Sequence, residues 1–253
     1  EAGSAVLYLF SPEGYFVGRA FVTGEQIVYR APVLLPVEAL DRCHVSTWTN
    51  AGAGQLFHSP AQGSGIEERA VSLIEGKDAF HGTPDDLFFG HARLVPVGTA
   101  GPEVITLARK NARMRITVRG LDRRIPEDRY YLTVEIPNDG YDFVGNPTAG
   151  TARVRRTGAF RDNGDFSTDE AFNLIHTDPA VSPAGGVTVN LYEKALGRSA
   201  DRLIASVTDD DGRPISLPAG RTVNLLIDLN EGEGLSVYTE ITPWDEIYQW
   251  DIW

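Results

Sequence analysis

The sequence predicts an all-β protein, and three observations lead to that fold class. Short segments in which apolar and polar residues alternate recur along the 253 residues. Clusters of Gly, Pro, Asn and Asp separate these segments, and the helical period of 3.6 residues is almost absent. Many short strands joined by polar turns are typical of β-sandwiches. The third observation is a change in the phase of the alternation near the middle of the chain.

The phase change lies in the segment 104–120. Apolar residues have odd numbers before Asn111 and even numbers after it. Because successive side chains of a strand point to opposite faces, one strand cannot bury both sets on the same face of a sheet. We therefore expect the chain to bulge, bend or change sheets at residues 109–111, and we place a domain boundary there. The expected domains are residues 1–108 and 109–253.

Strand and turn signals order the first domain. Ala5–Phe10 is a continuous apolar run, Ser11–Gly14 has turn chemistry, and Tyr15–Thr23 predicts the second arm of a hairpin. Residues 50–65 predict an exposed loop, and residues 65–76 fit one or two helical turns. Further strands are expected at Val33–Leu35, Cys43–Trp48 and Leu87–Val97.

Alternation is more regular in the second domain. Asn138-Asp139-Gly140 predicts a hairpin turn, because Asn and Gly tolerate a positive φ, and Asp209–Gly212 predicts another turn. Residues 145–178 are polar and rich in glycine, with only short apolar islands. Strands are expected at Ala112–Val118, Tyr130–Ile136, Val187–Leu191, Leu203–Val207, Val223–Leu229 and Leu235–Ile241.

Composition limits the classes of function. Apolar residues make up 42% of the chain and charged residues 23%, as in folded soluble proteins. The net charge of −12 argues against a nucleic-acid partner, since such proteins present basic surfaces. No apolar run approaches the roughly 20 residues that span a bilayer. The lack of an initiator Met and of a signal-peptide pattern leads us to expect a trimmed, mature chain.

No catalytic, cofactor-binding or metal-binding residue is predicted. Neither a G-x-S-x-G elbow nor a P-loop occurs, and the histidines lack the spacing of metal ligands. Asp139 and Asp142 could bind a cation, but this is the minority interpretation, and the Asp209–Gly212 cluster is expected to be a solvated turn. The single cysteine, Cys43, excludes an intrachain disulfide and is expected to be a small buried hydrophobe. The histidines are His44, His58, His81, His91 and His176.

The C-terminal tail carries three of the four tryptophans. Exposed Trp and Tyr side chains can stack on sugar rings, which would suit a carbohydrate-binding protein. We prefer the interpretation in which Trp244, Trp250 and Trp253 close a sandwich core or an interface. A glycosidase would need two carboxylates roughly 5–9.5 Å apart. With 35 acidic residues in the chain, the sequence alone gives such a pair no weight.

Several short motifs follow one another in a fixed order. Ala5–Gly18 contains a strand that ends in Phe10-Ser11, a short Gly turn and then an aromatic-Val strand. Later motifs are Leu35-Pro36, Thr47–Asn50, Leu87–Gly90, Leu107–Val118, Tyr141–Phe143, Leu203-Ile204 and Val223–Leu229. Over nearly the whole chain, this order resembles the FimB/Mfa2 family of fimbrial anchor subunits of Bacteroidales. Ser11 stands where the family usually has Asp, at an exposed turn.

The resemblance implies two tandem transthyretin-like Greek-key β-sandwiches and a non-enzymatic role without a cofactor. Family members are outer-membrane lipoproteins, held by an acylated N-terminal Cys, that seat the base of a fimbrial shaft and limit its length. This sequence has no Cys near its start. The lipid-bearing segment is therefore expected to have been removed, and the lipidation Cys is not present.

The resemblance also implies shaft subunits as partners. An exposed sheet edge is a template for an added strand, so we expect docking along a strand edge or in a groove between the domains. Arg113, Arg115 and Arg119 are then expected on the solvated or domain-facing side of a structural strand, and not in an anion site.

Three alternatives stay open. The first is a fimbrillin shaft or tip adhesin subunit, which a protease-cleaved propeptide with an arginine at the cut would favour. A lipobox in the precursor would favour the anchor. The second is a surface carbohydrate-binding β-sandwich protein. A hydrolase comes last, because no catalytic constellation supports it.

Overall fold

Strands make up most of the described chain, which confirms the predicted all-β fold class. The structure is a computed structural model and describes residues 3–35, 42–50, 52–95, 103–177, 185–197, 199–230, 234–246, 248 and 250. The earlier strands are β1 (Ser4–Phe10), β2 (Phe16–Thr23), β3 (Cys43–Thr49), β4 (Gln55–Phe57), β5 (Arg69–Leu73), β6 (Phe88–Leu94) and β7 (Ala108–Arg109).

The later strands include the longest ones of the described chain and end with a hairpin. They are β8 (Asn111–Arg119), β9 (Tyr130–Asp142), β10 (Pro147–Arg156), β11 (Gly158–Phe160), β12 (Phe166–Thr168), β13 (Phe172–Ile175), β14 (Thr188–Glu193), β15 (Arg202–Val207), β16 (Asp209–Asp210), β17 (Arg213–Pro214), β18 (Arg221–Asp228) and β19 (Ser236–Pro243). The described helices are α1 (Gly24–Val28) and a 3-10 helix at Glu127–Arg129. None of the described helices is long and apolar enough to span a membrane.

One antiparallel sheet, the N-terminal sheet, has the strand order β2–β1–β3–β6–β7. Its inner strand β1 is buried on both faces, since Leu9 and Phe10 follow one another and are both fully buried. Phe10 packs in the main core, and Leu9 packs in a smaller cluster on the opposite face. A strand with two buried faces needs apolar residues at consecutive positions. This explains why the run Ala5–Phe10 does not alternate.

A second sheet, the central sheet, joins strands from both sides of residue 108. Its order is β15–β14–β9–β5–β4, and β10 pairs with the other side of β9. β5 reaches the end of β9 through the pairs Val71–Tyr141 and Ser72–Gly140. A Cβ atom on Gly140 would lie 2.1 Å from the carbonyl oxygen of Val71. Only glycine therefore allows these two backbones to approach so closely.

The third sheet, the C-terminal sheet, has the order β11–β12–β8–β18–β19, and β13 also pairs with β8. β8 is antiparallel to β12 and β13 and parallel to β18. The even-numbered apolar residues of β8 are fully buried, as their alternation with arginines predicts. They are Ala112, Met114, Ile116 and Val118.

One large apolar cluster is shared by the three sheets. It contains Trp48 from the N-terminal sheet, Leu132 from the central sheet and Met114 from the C-terminal sheet, all fully buried. The smaller cluster lies on the other face of the N-terminal sheet, where Val45 is fully buried and Ile27 of α1 packs against it. Residues before and after position 108 thus contribute to the same core.

The chain changes sheets at Lys110. Ala108 and Arg109 form β7 at the edge of the N-terminal sheet, whereas β8 begins at Asn111 in the C-terminal sheet. A change of sheets is one of the outcomes that the phase change predicts, and it occurs where the phase changes. The division into domains of residues 1–108 and 109–253 stays a prediction.

Several predicted elements in the middle of the chain were wrong. Asn138-Asp139-Gly140 is not a hairpin turn, because β9 runs through it and uses the glycine to admit β5. Residues 65–76 contain β5 and not helical turns. Residues 145–178, for which the sequence predicted no element, contain β10 to β13. β10 escaped the sequence pattern because residues 148–151 are small and not buried, and only Ala152 and Val154 are buried apolar residues late in the strand.

The first half of the chain holds further corrections. Val33–Leu35 is not a strand in the structure, although Val33 and Leu35 pack against the smaller cluster. The expected loop at residues 50–65 includes β4. Pro36, which belongs to a motif, and Pro96 and Val97, which end a predicted strand, lie outside the described residues.

Helix α1 was not predicted, yet the sequence contains its capping box. The backbone N–H of Gln26 donates to Thr23 Oγ1 at 3.2 Å, and the backbone N–H of Thr23 donates to Gln26 Oε1 at 2.9 Å. A Thr followed three residues later by Gln is the sequence signature of such a cap. The turn expected at residues 209–212 is confirmed, with Asp211 at φ 52° and Gly212 at φ 76°.

Candidate functional site at the open strand edges

Strands at the ends of the sheets expose one row of backbone groups unless something covers it. The longest such strands are β2, β10 and β19, which have 8, 10 and 8 residues. Each is the last strand on its side of a sheet in the described part of the chain. Their edges differ in how far the rest of the molecule caps them.

The edge of β19 is capped by an acidic side chain. Asp210 of the short hairpin β16–β17 accepts hydrogen bonds from the backbone N–H of Thr239 at 3.0 Å and from its hydroxyl at 2.6 Å. Pro243 at the end of β19 has no N–H to offer. Both features block the addition of a further strand.

The edge of β10 is covered at one point by the segment that follows β5. The backbone N–H of His81 donates to the carbonyl oxygen of Arg153 at 2.7 Å, and the N–H of Arg153 donates to His81 Nδ1 at 3.2 Å. His81 thus takes the place of a paired strand residue beside Arg153. The pairing of β10 with β9 is also irregular near the start of β10. Only a shorter part of the β10 edge is therefore regular enough to pair with an added strand.

Among the described residues, no backbone group pairs with the outer edge of β2 between its two ends. The carbonyl oxygen of Ser4 accepts a hydrogen bond from the backbone N–H of Asn50. The backbone N–H of Thr23 donates to the side-chain oxygen of Gln26. The paired residues Ser4 and Thr23 therefore do not exchange backbone hydrogen bonds with each other. Backbone groups alternate in direction along an antiparallel strand. The N–H and C=O groups of Arg19 and Phe21 therefore point away from β1, toward the free edge.

Apolar side chains flank this open edge. Val17 is 48% exposed and Phe21 is 67% exposed, and the Arg19 guanidinium lies 5.3 Å from the centre of the Phe21 ring. Tyr15, just before the strand, is 56% exposed. The start of the edge is covered, because the N–H of Phe16 donates to the carbonyl oxygen of Ser64 at 2.8 Å. The accessible stretch consequently begins at Val17 and ends before α1.

The aromatic tail is partly structural. Trp244 is buried, and its ring lies 4.1 Å from the Arg109 guanidinium and 5.2 Å from that of Arg113. The ring of Trp250 contacts that of Tyr248, with 4.9 Å between their centres. Trp253 lies outside the described residues. Trp244 thus closes one end of the C-terminal sheet, as the preferred interpretation of the tail expects.

The arginines of β8 are half-buried and not solvated. Arg119 forms an ion pair with Asp165, with Nε and Oδ1 3.2 Å apart. Arg113 lies under Trp244 and donates to the carbonyl oxygens of Trp244 and Ala171. Burial lowers the pKa of Arg115, and the nearby charge of Arg161 adds to that effect. Of the two sides that were expected, solvated or domain-facing, the solvated one is wrong, because other segments of the chain cover these arginines.

The carboxylates and the thiol that the sequence singled out have structural partners. Asp139 pairs with Arg69 at 2.8 Å. Asp142 accepts from the N–H groups of Val144 and Asn146 at 2.9 and 2.8 Å, while burial raises the pKa of its carboxyl group. Cys43 is buried in β3, and burial raises the pKa of its thiol.

The histidines are spread over the described structure. His44 Nδ1 and His91 Nε2 lie 3.4 Å apart, His58 Nε2 lies 3.0 Å from Ser72 Oγ, and His176 Nδ1 lies 3.1 Å from the Tyr141 hydroxyl. No group of three or more His, Cys, Asp or Glu side chains that could hold a metal occurs among the described residues.

The open edge of β2 is the feature that sequence reasoning missed. The sequence identifies Tyr15–Thr23 as a hairpin arm, but it does not tell which strands pair on its far side. Val17 and Phe21 were the signal for this edge in the sequence. They alternate with Gly18 and Ala20, whose side chains are too small to form an apolar face of their own.

Solved structures share the fold of this chain. The fimbrial anchor protein Mfa2 from Porphyromonas gingivalis superposes with a TM-score of 0.68 at 13% identity, covering 96% of this chain and 90% of that protein. A candidate polysaccharide-binding protein from Bacteroides thetaiotaomicron gives a TM-score of 0.72 at 16% identity, covering 98% and 91%. A candidate adhesin from the same species gives 0.65 at 12% identity, covering 96% and 89%. At these identities the likeness shows the fold alone.

Sequence comparison gives the family. No curated protein matches the chain. The family model of the fimbrillin-A-associated anchor proteins Mfa1 and Mfa2 matches residues 1–250, which is nearly the whole sequence. Together with the shared fold, this match shows that the chain belongs to the family of fimbrillin-A-associated anchor proteins.

Proposed function

We propose that this chain attaches a fimbrial shaft to the outer membrane and limits the length of the shaft, and that it accepts the adjacent shaft subunit along the open edge of β2. Members of its family are fimbrial components of the cell surface, so the chain is a structural protein and not an enzyme. The attachment, the limit on length and the docking mode are the proposed parts.

The open edge of β2 is the observation that carries the proposal. The N–H and C=O groups of Arg19 and Phe21 point outward, and an extended segment of a partner can pair with them. Val17 and Phe21 offer apolar contacts beside those hydrogen bonds. Since the edge of β19 is capped by Asp210, β2 is the better template of the two.

Membrane attachment of the proposed kind needs a cysteine that can carry a lipid. Cys43 does not suit a lipid, because its side chain is buried inside the N-terminal sheet. We propose that a lipidated Cys in an N-terminal segment of the precursor attaches the protein to the outer membrane. Mass spectrometry of the protein purified from membranes tests this, and an unmodified N-terminus would contradict it.

The docking mode is tested by two substitutions at one residue. Both Arg19→Pro and Arg19→Thr remove the guanidinium, but only Arg19→Pro removes the outward N–H. Because that N–H makes no bond to β1, neither change breaks the ladder of the sheet. We expect Arg19→Pro to weaken binding of the cognate shaft subunit about tenfold relative to Arg19→Thr, as loss of one hydrogen bond predicts. Biolayer interferometry with purified subunits measures both.

A second pair of variants identifies the edge. Phe21→Thr and Leu203→Thr each replace an exposed apolar side chain on an end strand, in β2 and β15 respectively. Only Phe21→Thr should weaken binding. Equal affinity of all four variants would reject docking on β2. Fimbriae of normal length that stay firmly attached after deletion of the gene would reject the anchor role itself.

The alternatives are less well supported. The carbohydrate-binding alternative relies on exposed rings in the tail, and one of them, Trp244, is buried against two arginines. A shaft or tip role differs from the anchor role in the processing of the precursor. A propeptide cut after an arginine, found by sequencing the N-terminus of the surface protein, would favour it.

A further inference from the structure

The smaller cluster of the N-terminal sheet is covered by a layer that is apolar on both of its sides. Ile27 of α1, Val33, Leu35 and Ile105 pack inward against the cluster. Residues next to them in the sequence are also apolar, but their side chains are between 72% and 95% exposed. These exposed residues, the outer patch, are Val28, Tyr29, Leu34 and Val104.

An arginine in an unfavourable backbone conformation borders the outer patch. The N–H of Ala31 donates to the carbonyl oxygen of Gln26 at 2.9 Å, and the N–H of Arg30 donates to that of Ile27 at 3.2 Å. These two bonds form a Schellman turn, in which glycine usually occupies the position of Arg30. Arg30 instead adopts a positive φ of 50°, which is strained for a residue with a Cβ atom.

The guanidinium of Arg30 is available to a ligand outside the protein. Arg30 is exposed, and no carboxylate pairs with its side chain in the described part of the chain. The preceding residue, Tyr29, has an apolar ring with a polar hydroxyl at its tip. Tyrosine rings lie at the level of the headgroups in membrane–water interfaces, and arginine is a bidentate ligand of phosphate. Neighbouring exposed apolar side chains with these two groups at their border suit a phospholipid surface.

The location of the outer patch also favours a bilayer over a protein partner. Ser4, in the first turn of the sheet ladder, pairs with Thr23, which is the N-cap of α1. Tyr29 is the C-cap of the same helix, about 9 Å farther along at 1.5 Å per residue. A lipidated segment upstream of β1, as proposed above, would therefore hold this corner of the protein close to the membrane. β2 runs from Phe16 to Thr23, so its open edge leads away from the same corner.

Nearby charges select the kind of bilayer. Glu25 of α1 and Glu103, next to Val104, are both exposed, and the whole chain has a net charge of −12. A strongly anionic surface would repel this protein. A zwitterionic headgroup offers a phosphate to Arg30 and an ammonium group to Glu25.

We propose that the outer patch contacts the surface of a zwitterionic phospholipid bilayer, and that Arg30 binds a lipid phosphate there. The apolar side chains of the patch enter the boundary between headgroups and acyl chains. The contact orients the body of the protein on the membrane. The proposal rests on the proposed function for the upstream lipid that brings the patch to the membrane, but the contact itself needs no lipid on the protein.

Binding of the full chain, without a lipid, to sucrose-loaded vesicles of phosphatidylcholine and phosphatidylethanolamine tests the contact. Tyr29→Ser and Leu34→Ser should each lower the partition coefficient at least about threefold, because binding strength scales with the buried apolar area. The matched controls Tyr238→Ser and Leu196→Ser change exposed side chains of the same types elsewhere and should leave it unchanged. The binding should persist in 0.5 M salt, since it is mainly apolar.

Arg30→Gly separates a role in binding from a role in folding. Glycine relieves the positive φ, so this variant should have a higher unfolding midpoint and yet bind the vesicles more weakly. Arg30→Lys keeps the positive charge and should bind more tightly than Arg30→Gly. If Arg30→Gly binds as well as the unmodified protein, the assignment of a phosphate to Arg30 is wrong.

A fluorescent probe reports where the protein touches the bilayer. Vesicles that contain dibrominated phosphatidylcholine should quench the additional fluorescence of Tyr29→Trp, measured against the unmodified protein, and should not quench that of Tyr238→Trp. Equal quenching of the two probes would place the contact elsewhere and overturn the proposal.

Two further results would overturn it. The first is no binding of the full chain to the vesicles. The second is self-association of the full chain, seen by sedimentation velocity without lipid, that Tyr29→Ser and Leu34→Ser abolish while vesicle binding stays unchanged, because a second copy would then cover the patch. An unmodified N-terminus would reject the proposed anchor but not this contact, so the two failures can be told apart.

Discussion

The side-chain oxygen of Asn111 accepts a hydrogen bond from the backbone N–H of Leu87 at 2.9 Å in the interior of the protein. The amide nitrogen of the same side chain donates to the carbonyl oxygen of Asp85. The backbone carbonyl of Asn111 in turn accepts from the N–H of Gly220 at 2.7 Å. Asn111 is the first residue of β8, so these bonds fix the point at which the chain enters the C-terminal sheet.

Removal of this side chain should lower stability markedly. Asn111→Ala leaves the N–H of Leu87 and the carbonyl of Asp85 without their partner, and each buried group that is left unpaired costs about 1–3 kcal/mol. We expect the free energy of unfolding to fall by about 2–4 kcal/mol in urea titrations followed by tryptophan fluorescence. Asn230→Ala, at an exposed asparagine, should change it by less than about 0.5 kcal/mol. Similar values for the two variants would contradict the role of Asn111.

The sequence located this junction but not the residue that secures it. A change in the parity of apolar positions is visible in the sequence, because it follows from the geometry of a strand. The bonds of Asn111 to Leu87 and Asp85 connect residues more than 20 positions apart, and no local pattern encodes them. The same limit applies to the pairing of β5 with β9, which turned a predicted hairpin at Gly140 into a strand interior.

The candidate site was less predictable than the fold. Alternation identifies β2 as a strand, but an edge is open only if nothing pairs with its far side, and this depends on the whole topology. Capping of β19 by Asp210 is equally hidden, since residues 209–212 have the composition of any solvated turn. The family resemblance supplied the expectation of a docking edge, and the three-dimensional arrangement was needed to tell β2 from β19.

Trp244 should support stability and not sugar binding. Its buried ring stacks on Arg109 and Arg113, and Arg109 also holds Asp86 through two bonds of 2.7 and 2.8 Å. We expect Trp244→Ala to lower the free energy of unfolding by about 3 kcal/mol, as for other buried aromatic residues. Tyr29→Ala, at a side chain that is 80% exposed, serves as the control and should have little effect. Loss of glycan-array binding in a folded Trp244→Phe variant would instead support a sugar site.

The contribution of His91 to stability should fall as the pH drops below 6.5. The pKa of His91 lies below its ordinary value of 6.5, because burial and then the charges of His44 and Arg93 oppose its protonation. The folded state therefore binds this proton more weakly than the unfolded state does. The contribution of His91 is complete above pH 6.5 and is lost as the pH falls through the lower pKa of the folded state.

Substitution of His91 tests this dependence. We expect His91→Gln to show a shallower fall in the free energy of unfolding between pH 6.5 and more acidic values. His58 has the same direction of shift, from burial and then from Arg69, so His58→Gln should remove another part of the slope. The double variant should be flatter than either single one. Urea titrations at a series of pH values measure the slopes, and an unchanged slope in His91→Gln would refute the assignment.

The cap on β19 should keep the protein from pairing with itself. Asp210 accepts from the N–H of Thr239, which would otherwise be free at an edge where Tyr238 and Ile241 are each 49% exposed. An uncapped edge with apolar side chains is a template for strand addition. We expect Asp210→Ala to form dimers or larger species as its concentration rises, seen by sedimentation velocity. Asp210→Asn keeps an acceptor and should stay closer to the monomer.

Asp211, the neighbour of Asp210, serves to distinguish the loss of the hydrogen-bonded cap from the loss of a negative charge. Asp211→Ala removes the same charge from the same hairpin but leaves the bonds to Thr239 in place. If both alanine variants associate equally, lost repulsion and not an opened edge explains the association. If only Asp210→Ala associates, the hairpin β16–β17 acts as a guard on β19. That result would leave β2 as the edge through which this fimbrial protein can add a strand.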